Sequence, residues 1–234
     1  MTSSPTPLIR TVFSELAERI YGGDSTQDVL DDAVHLTARL LPGADHVCIS
    51  TLTPNRTLLT RAATDEIALH MDALETEAQE GPCLDAIEAD AVQRDPDIAR
   101  DTPWPRLQRL VLGRTPVRGM LGYRLLTDTG EQSALDIFCD RPGVLTTDVA
   151  DQGALIASFV SVALTAAGRR DTADDLRRGL DDDREVGKAV GLLMASHRIP
   201  EERAMALLEE VARTTGDRLV VVAKDLTERH GRQG

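Results

Sequence analysis

The sequence predicts an α+β domain, an antiparallel sheet flanked by helices, followed by a helical connector and a small bundle of three helices. Three observations carry this expectation. Up to Pro42-Gly43 the apolar residues recur with helical spacing, and from Asp45 the period drops to two. Strand-like and helix-like stretches then intermix as far as Cys139, the pattern of a sheet with helices on both sides. The last fifty residues divide into three short amphipathic pieces, which together can bury one small shared core.

Taken in order, Leu8, Ile9, Val12, Phe13, Leu16 and Ile20 form one side of an opening helix, which Gly22-Gly23 ends. Asp24 or Ser25 caps a second helix carrying Val29, Leu30, Val34 and Leu41. Residues 45–53 and 56–63 read as strands joined at the Pro54-Asn55 turn. Ile67, Met71, Leu74 and Ala78 return to helical spacing; 91–94 is a short strand and 104–112 a helix. Residues 117–126 and 133–139 are two further strands around a turn at 128–130.

Between Asp151 and Arg169 lie 17 uncharged residues. A bilayer span needs roughly 20 largely apolar ones, and Gln152, Ser158, Ser161 and Thr165 interrupt this run, so it reads as a buried or dimer-forming helix. The Arg/Asp-rich stretch 171–183 is either a solvated helical face or the continuation of that helix, through Leu176 and Leu180, into the first C-terminal piece. In the second reading Leu155, Phe159, Val162 and Leu176 line a two-chain seam interrupted by Arg169. Gly168 and Gly179, each about 1 kcal/mol poorer than Ala in a helix, are then hinges. The C-terminal pieces carry Val186, Ala189, Val190 and Leu193; then Ala204, Leu207, Leu208 and Val211, with Pro200 in the first turn and Gly216 as the stop; then Leu219, Val222, Ala223 and Leu226.

With 234 residues, 41% of them hydrophobic, the chain can form one large domain or a medium one plus a small one. Cys48, Cys83 and Cys139 are odd in number and show no C-x-x-C spacing, which points to reduced thiols and a cytoplasmic location rather than a disulfide framework. The first ten residues contain no apolar export core, and no membrane association is expected. There is no H-E-x-x-H, G-x-S-x-G or P-loop, and the five histidines lack paired-ligand spacing. No catalytic constellation, metal centre or obligatory cofactor is therefore expected. The N-terminal half also lacks the acidic pair and strand-end Asp of a phosphate-receiving domain.

The net charge of −13 is uneven: −10 over residues 1–170, −4 over 171–183 and +1 over 184–234. Phosphate neutralisation supplies most non-specific affinity for nucleic acid, so the acidic bulk repels it. Any RNA contact belongs to the C-terminal unit and depends on local placement of charge.

The run V-G-K-A-V-G-L-L-M at 186–194, then Ala204, then R-L-x-x-V-A at 218–223, resembles an ANTAR domain, the RNA-binding output module of bacterial antitermination regulators. Gly191, Leu193, Met194, Ala204, Leu219 and Ala223 stand at that family's spacing. At two positions where many members carry a basic residue this chain has Val190 and Val220, which implies a weaker electrostatic interface. Further upstream, E-G-P-C-L-D-A at 80–86 and P-W-P-R at 103–106 resemble the GAF domain that precedes ANTAR in many actinobacterial regulators. The two resemblances divide the chain into a GAF-like sensor over 8–165, a connector over 166–183 and an ANTAR unit over 184–230.

What they imply is a signal-responsive regulator that binds RNA stem-loops, paired as one per protomer of a homodimer, and opposes transcription termination. No aromatic residue occurs in the last fifty positions, so contacts fall to Arg184, Lys188, Arg198, Arg213, Arg218 and Lys224. In the sensor, a small-molecule ligand would involve Cys83 and Trp104. Cys83 is either a sensor thiol acidified at a helix start or a small apolar residue fixing a loop. Trp104 is either the lid of a cleft or a packing anchor. The rival reading is a protein-interaction or dimerisation module that binds no nucleic acid, which Val190 and Val220 favour.

Overall fold

The computed structural model describes Thr11, Ser14, Glu15, Glu18 and residues 25–89, 91–128 and 130–231. The chain divides into two compact units, Met1–Arg170 and Asp171–Gly234. The opening helix expected over 8–20 lies outside the described residues except for the first four named, which are helical.

The first unit is built on five antiparallel strands, β1 (His46–Leu52), β2 (Leu58–Ala63), β3 (Gln93–Asp95), β4 (Gly119–Leu125) and β5 (Ser133–Cys139), in the order β2-β1-β5-β4-β3. One face packs against α1 (Thr26–Leu40) and the first part of α5 (Thr147–His197), through Val47, Ile49, Leu121, Tyr123, Leu135, Ile137 and Cys139. The other face carries Cys48, Met120 and Phe138 and lies under α2 (Glu66–Ala78), α3 (Pro82–Ala89) and α4 (Pro105–Arg114). Side chains alternate between the two faces as the pleat requires. Because helices cover both faces, burial does not alternate: His46–Ser50 and all of β5 are buried.

Local chemistry fixes the helix ends. Ser25 caps α1 as part of a capping box: its hydroxyl accepts from Asp28 N at 3.2 Å, and Asp28 Oδ2 accepts from Ser25 N at 3.0 Å. Asp65 caps α2, with Oδ1 accepting from Ile67 N at 2.9 Å and Ala68 N at 3.0 Å. Tyr123 ties the sheet to α5 by donating its hydroxyl to the Ala150 carbonyl at 2.8 Å.

In the second unit the last part of α5 packs with α6 (Glu201–Thr215) and α7 (Leu219–Gly231) around Ala189, Val190, Ala204, Leu208 and Ala223. Three expectations change here. The first member of the bundle is no separate short helix, because the 51-residue α5 runs through 184–196. Gly168 and Gly179, expected as hinges, are interior residues of that helix; the i,i+3 pairs Asp174–Arg177 and Asp175–Arg178 lie close by. Pro200 stands at the N-cap of α6, outside its first turn, with extended backbone. Gly216 does end α6, in the left-handed conformation.

By length and composition α5 is apolar enough to cross a membrane, but half of its apolar window is buried inside the fold. Ile156, Ala157, Val160, Ala163 and Leu164 face the sheet core, which is the placement of a core helix.

Candidate functional site

Four of the six predicted RNA contacts gather on one edge of the second unit. Asp182 and Glu185 are three residues apart on α5, hence on one face of it. Lys188 Nζ donates to Glu185 Oε1 at 2.6 Å, and the charges of Lys188, Lys224 and Arg184 all act on Glu185. The Lys188 hydrogen bond, with those cations, holds the Glu185 carboxyl below its ordinary range. Arg218, just before α7, pairs with Asp182 at 2.9 Å. The structure thus brings Arg184, Lys188, Arg218 and Lys224 together, all of them exposed. Arg198 and Arg213 are exposed but apart from this group: Arg198 follows α5 with a φ of 55°, and Arg213 pairs with Glu210 at 2.5 Å on α6. Spacing along the chain could not separate these two sets, because the grouping arises between helices.

Val190 and Val220 differ from the expectation attached to them. Both are buried, at 4% and 7% exposure, Val190 within the bundle core. Neither side chain lies on the exposed edge that carries Arg184, Lys188, Arg218 and Lys224.

In the first unit the two motifs read from the sequence grip one another. Glu80 of E-G-P-C-L-D-A accepts from Arg106 N at 2.8 Å and Arg106 Nε at 2.6 Å, capping the start of α4 within P-W-P-R. Asp85 accepts the Trp104 indole N–H at 2.8 Å. Trp104 is 2% exposed, so it is a packing anchor rather than the lid of a cleft. Cys83 is fully buried at the start of α3, and burial, reinforced by Asp136, Glu75 and Asp72, pushes its thiol well above the ordinary value. Burial and the raised thiol favour the packing reading of Cys83 over the acidified sensor thiol.

The same region holds a buried acidic cluster that spacing did not reveal. The register Cys48↔Asp136↔Gly122 sets these residues in one row across β1, β5 and β4, on the face under α2 and α3. A Cβ at Gly122 would lie 2.5 Å from the Pro82 carbonyl oxygen and 3.0 Å from Asp136 Oδ1, so glycine lets α3 sit directly on the sheet. From α2, Asp72 accepts hydroxyl hydrogen bonds from Ser50 and Thr60, with the Cys48 thiol at 3.6 Å. Glu75 Oε2 accepts from Cys83 N at 3.1 Å. Glu75 Oε1 and both carboxylate oxygens of Asp136 are buried without a partner. Burial pushes Asp72, Glu75, Asp136 and Cys48 upward. Cys139 takes no part in this cluster, since it packs into the core on the opposite face.

An open groove of about 550 Å³ runs between the β4 end and α5, lined by Tyr123, Leu126, Ala157, Ser161, Val162 and Arg169 among others. It involves neither Cys83 nor Trp104.

Residues 174–226 match the ANTAR domain family. No curated protein matches the sequence. Among solved structures the chain is similar to free methionine-R-sulfoxide reductase from Neisseria meningitidis in complex with its substrate, at 12% identity and a TM-score of 0.54, covering 72% of this chain and 95% of that one. It is also similar to GAF domains of two phosphoenolpyruvate-protein phosphotransferases. The one from Coxiella burnetii has 12% identity and a TM-score of 0.53 over 73% and 99% of the two chains. The one from Acinetobacter has 14% and 0.51 over 72% and 97%. At such identities the likeness shows the fold alone. Together these findings define the class: a domain of GAF-like fold followed by a segment that matches the ANTAR domain family.

Proposed function

We propose that the chain is a dimeric regulator that binds RNA stem-loops through its ANTAR unit and promotes transcription antitermination, under control of its GAF-like domain. The observation that carries this reading is the ANTAR match over 174–226. Arg184, Lys188, Arg218 and Lys224 form the RNA-contacting edge. Arg and Lys on short helices meet the closely spaced phosphates and unstacked bases of RNA loops. Arg198 and Arg213 remain candidate peripheral contacts. The protein is proposed to act without catalysis of its own and, with α5 read as a core helix, in the cytoplasm.

Dimerisation is assigned to α5. Leu155, Val162 and Leu176 recur at multiples of seven and are exposed, Val162 at 65% and Leu176 at 66%, while Arg169 between them is drawn aside to Asp128 at 2.5 Å. A two-stranded seam buries such a heptad stripe. Phe159 belongs only partly to it, since it packs against the sheet core.

Full-length protein titrated against a two-hairpin RNA at low salt tests the proposal, with crosslinking and sequencing to name the target. Saturable binding that Arg218→Ala weakens supports it; no binding at low salt overturns it. A protein-interaction module is then the remaining reading. It draws support from the acidic partners that neutralise Lys188, Arg213 and Arg218.

A further inference from the structure

The buried cluster between the sheet and α2 has the donor chemistry of a metal site. Cys48 Sγ and one carboxylate oxygen each of Asp72 and Asp136 lie within 4.8 Å of one another, all three residues buried. Tetrahedral zinc with bonds of 2.0–2.3 Å holds its donors on the order of 3.5 Å apart, so closing on an ion requires shifts of about one ångström. Cys48 and Asp72 already stand at 3.6 Å. A second, independent observation points to a cation. Both oxygens of Asp136 and Oε1 of Glu75 are buried with no N–H or O–H donor in hydrogen-bonding geometry. The one group that interacts with Asp136 as a donor is the Cys83 thiol, a weak one. Buried carboxylates ordinarily pair with a cation or a full set of donors, yet the acidic and thiol groups here act chiefly on one another.

We infer that this cluster binds a borderline-soft divalent cation of the zinc class through Cys48, Asp72 and Asp136. One thiolate among carboxylates suits zinc or cobalt better than magnesium or calcium, which take all-oxygen shells. A ligating thiol must be deprotonated, so binding at Cys48 is expected to strengthen as pH rises. The site is independent of RNA binding. Because it joins two strands to α2 beside the start of α3, the ion ties the covering helices to the sheet.

The test uses the full-length chain, stripped with a chelator and dialysed against zinc or cobalt. Wild type should retain about one equivalent of zinc per chain, melt at a higher temperature with zinc than without, and show a thiolate-to-metal charge-transfer band with cobalt. Cys48→Ser and Asp136→Asn should bind at least tenfold more weakly, whereas Cys139→Ser, on the opposite face, should match wild type. Wild type that retains no metal, or shows no thiolate band with cobalt, overturns the inference whatever the variants do. Loss of the band in Cys139→Ser but not in Cys48→Ser overturns it equally.

Discussion

At the scale of single residues, charge placement decides most outcomes. Asp65 both caps α2 and meets His46 Nδ1 at 2.8 Å. Burial alone would raise its carboxyl, but the hydrogen bonds from His46 and Ala68 N prevail and hold it below the ordinary value. A folded value below the unfolded one contributes stability that is present above the ordinary carboxylate range and lost as pH falls through the folded value. Asp65→Asn, which keeps a capping oxygen, should therefore flatten the acid limb of a melting-temperature profile while changing stability little near neutrality. An unchanged acid limb would show that other carboxylates dominate it. Val190→Lys is expected to act through folding rather than through RNA. It places an ammonium in a core of Ala189, Ala204 and Ala223, at a cost on the order of 3 kcal/mol, and the melting temperature of the C-terminal unit should fall. Arg218→Ala removes an exposed ion pair worth less than about 1 kcal/mol. It should leave melting intact, weaken RNA binding and reduce the salt slope by about 0.7.

At the scale of elements, the proposed dimer rests on α5. Val162→Asp puts a carboxylate in the middle of the exposed stripe without touching the sheet-facing residues Ile156, Val160 and Ala163. Light scattering should show dimers becoming monomers with the helix content of each chain retained, and a monomeric wild type at micromolar concentration removes the seam altogether. The elements were largely legible from the sequence. Ser25, Pro42-Gly43 and Gly216 mark helix boundaries through local chemistry, and β5 was found to the residue because Ser133–Cys139 is an unbroken buried strand. Legibility failed where tertiary packing overrides a local signal. Gly168 and Gly179 weaken a helix intrinsically, yet α5 continues through both. Val190 was legible as a core position from the stripe Val186, Ala189, Val190 and Leu193, but a one-dimensional pattern cannot say which distant segments meet. The acidic cluster was invisible for the same reason: Cys48, Asp72 and Asp136 lie far apart in sequence and meet only through the register of β1 with β5 and the docking of α2.

At the scale of the whole molecule, the electrostatic balance sets the strength of nucleic-acid binding. If the four gathered cations each neutralise one single-stranded phosphate, log affinity should fall with log salt at a slope of roughly −3, about 0.7 per contact. A much steeper slope in filter binding would mean that a wider surface is engaged. The middle of α5 carries a separate consequence. From residue 168 to residue 185 no side chain is buried, so among the described residues this span of helix packs into no core cluster. Its ion pairs contribute only a few tenths of a kcal/mol each, and lone helices in water are marginal without packing. A second copy of α5 laid against Leu176 and Leu180, which are 66% and 70% exposed, would provide that packing. Helical order and association then rise together, and amide exchange over residues 171–183 should slow as protein concentration increases.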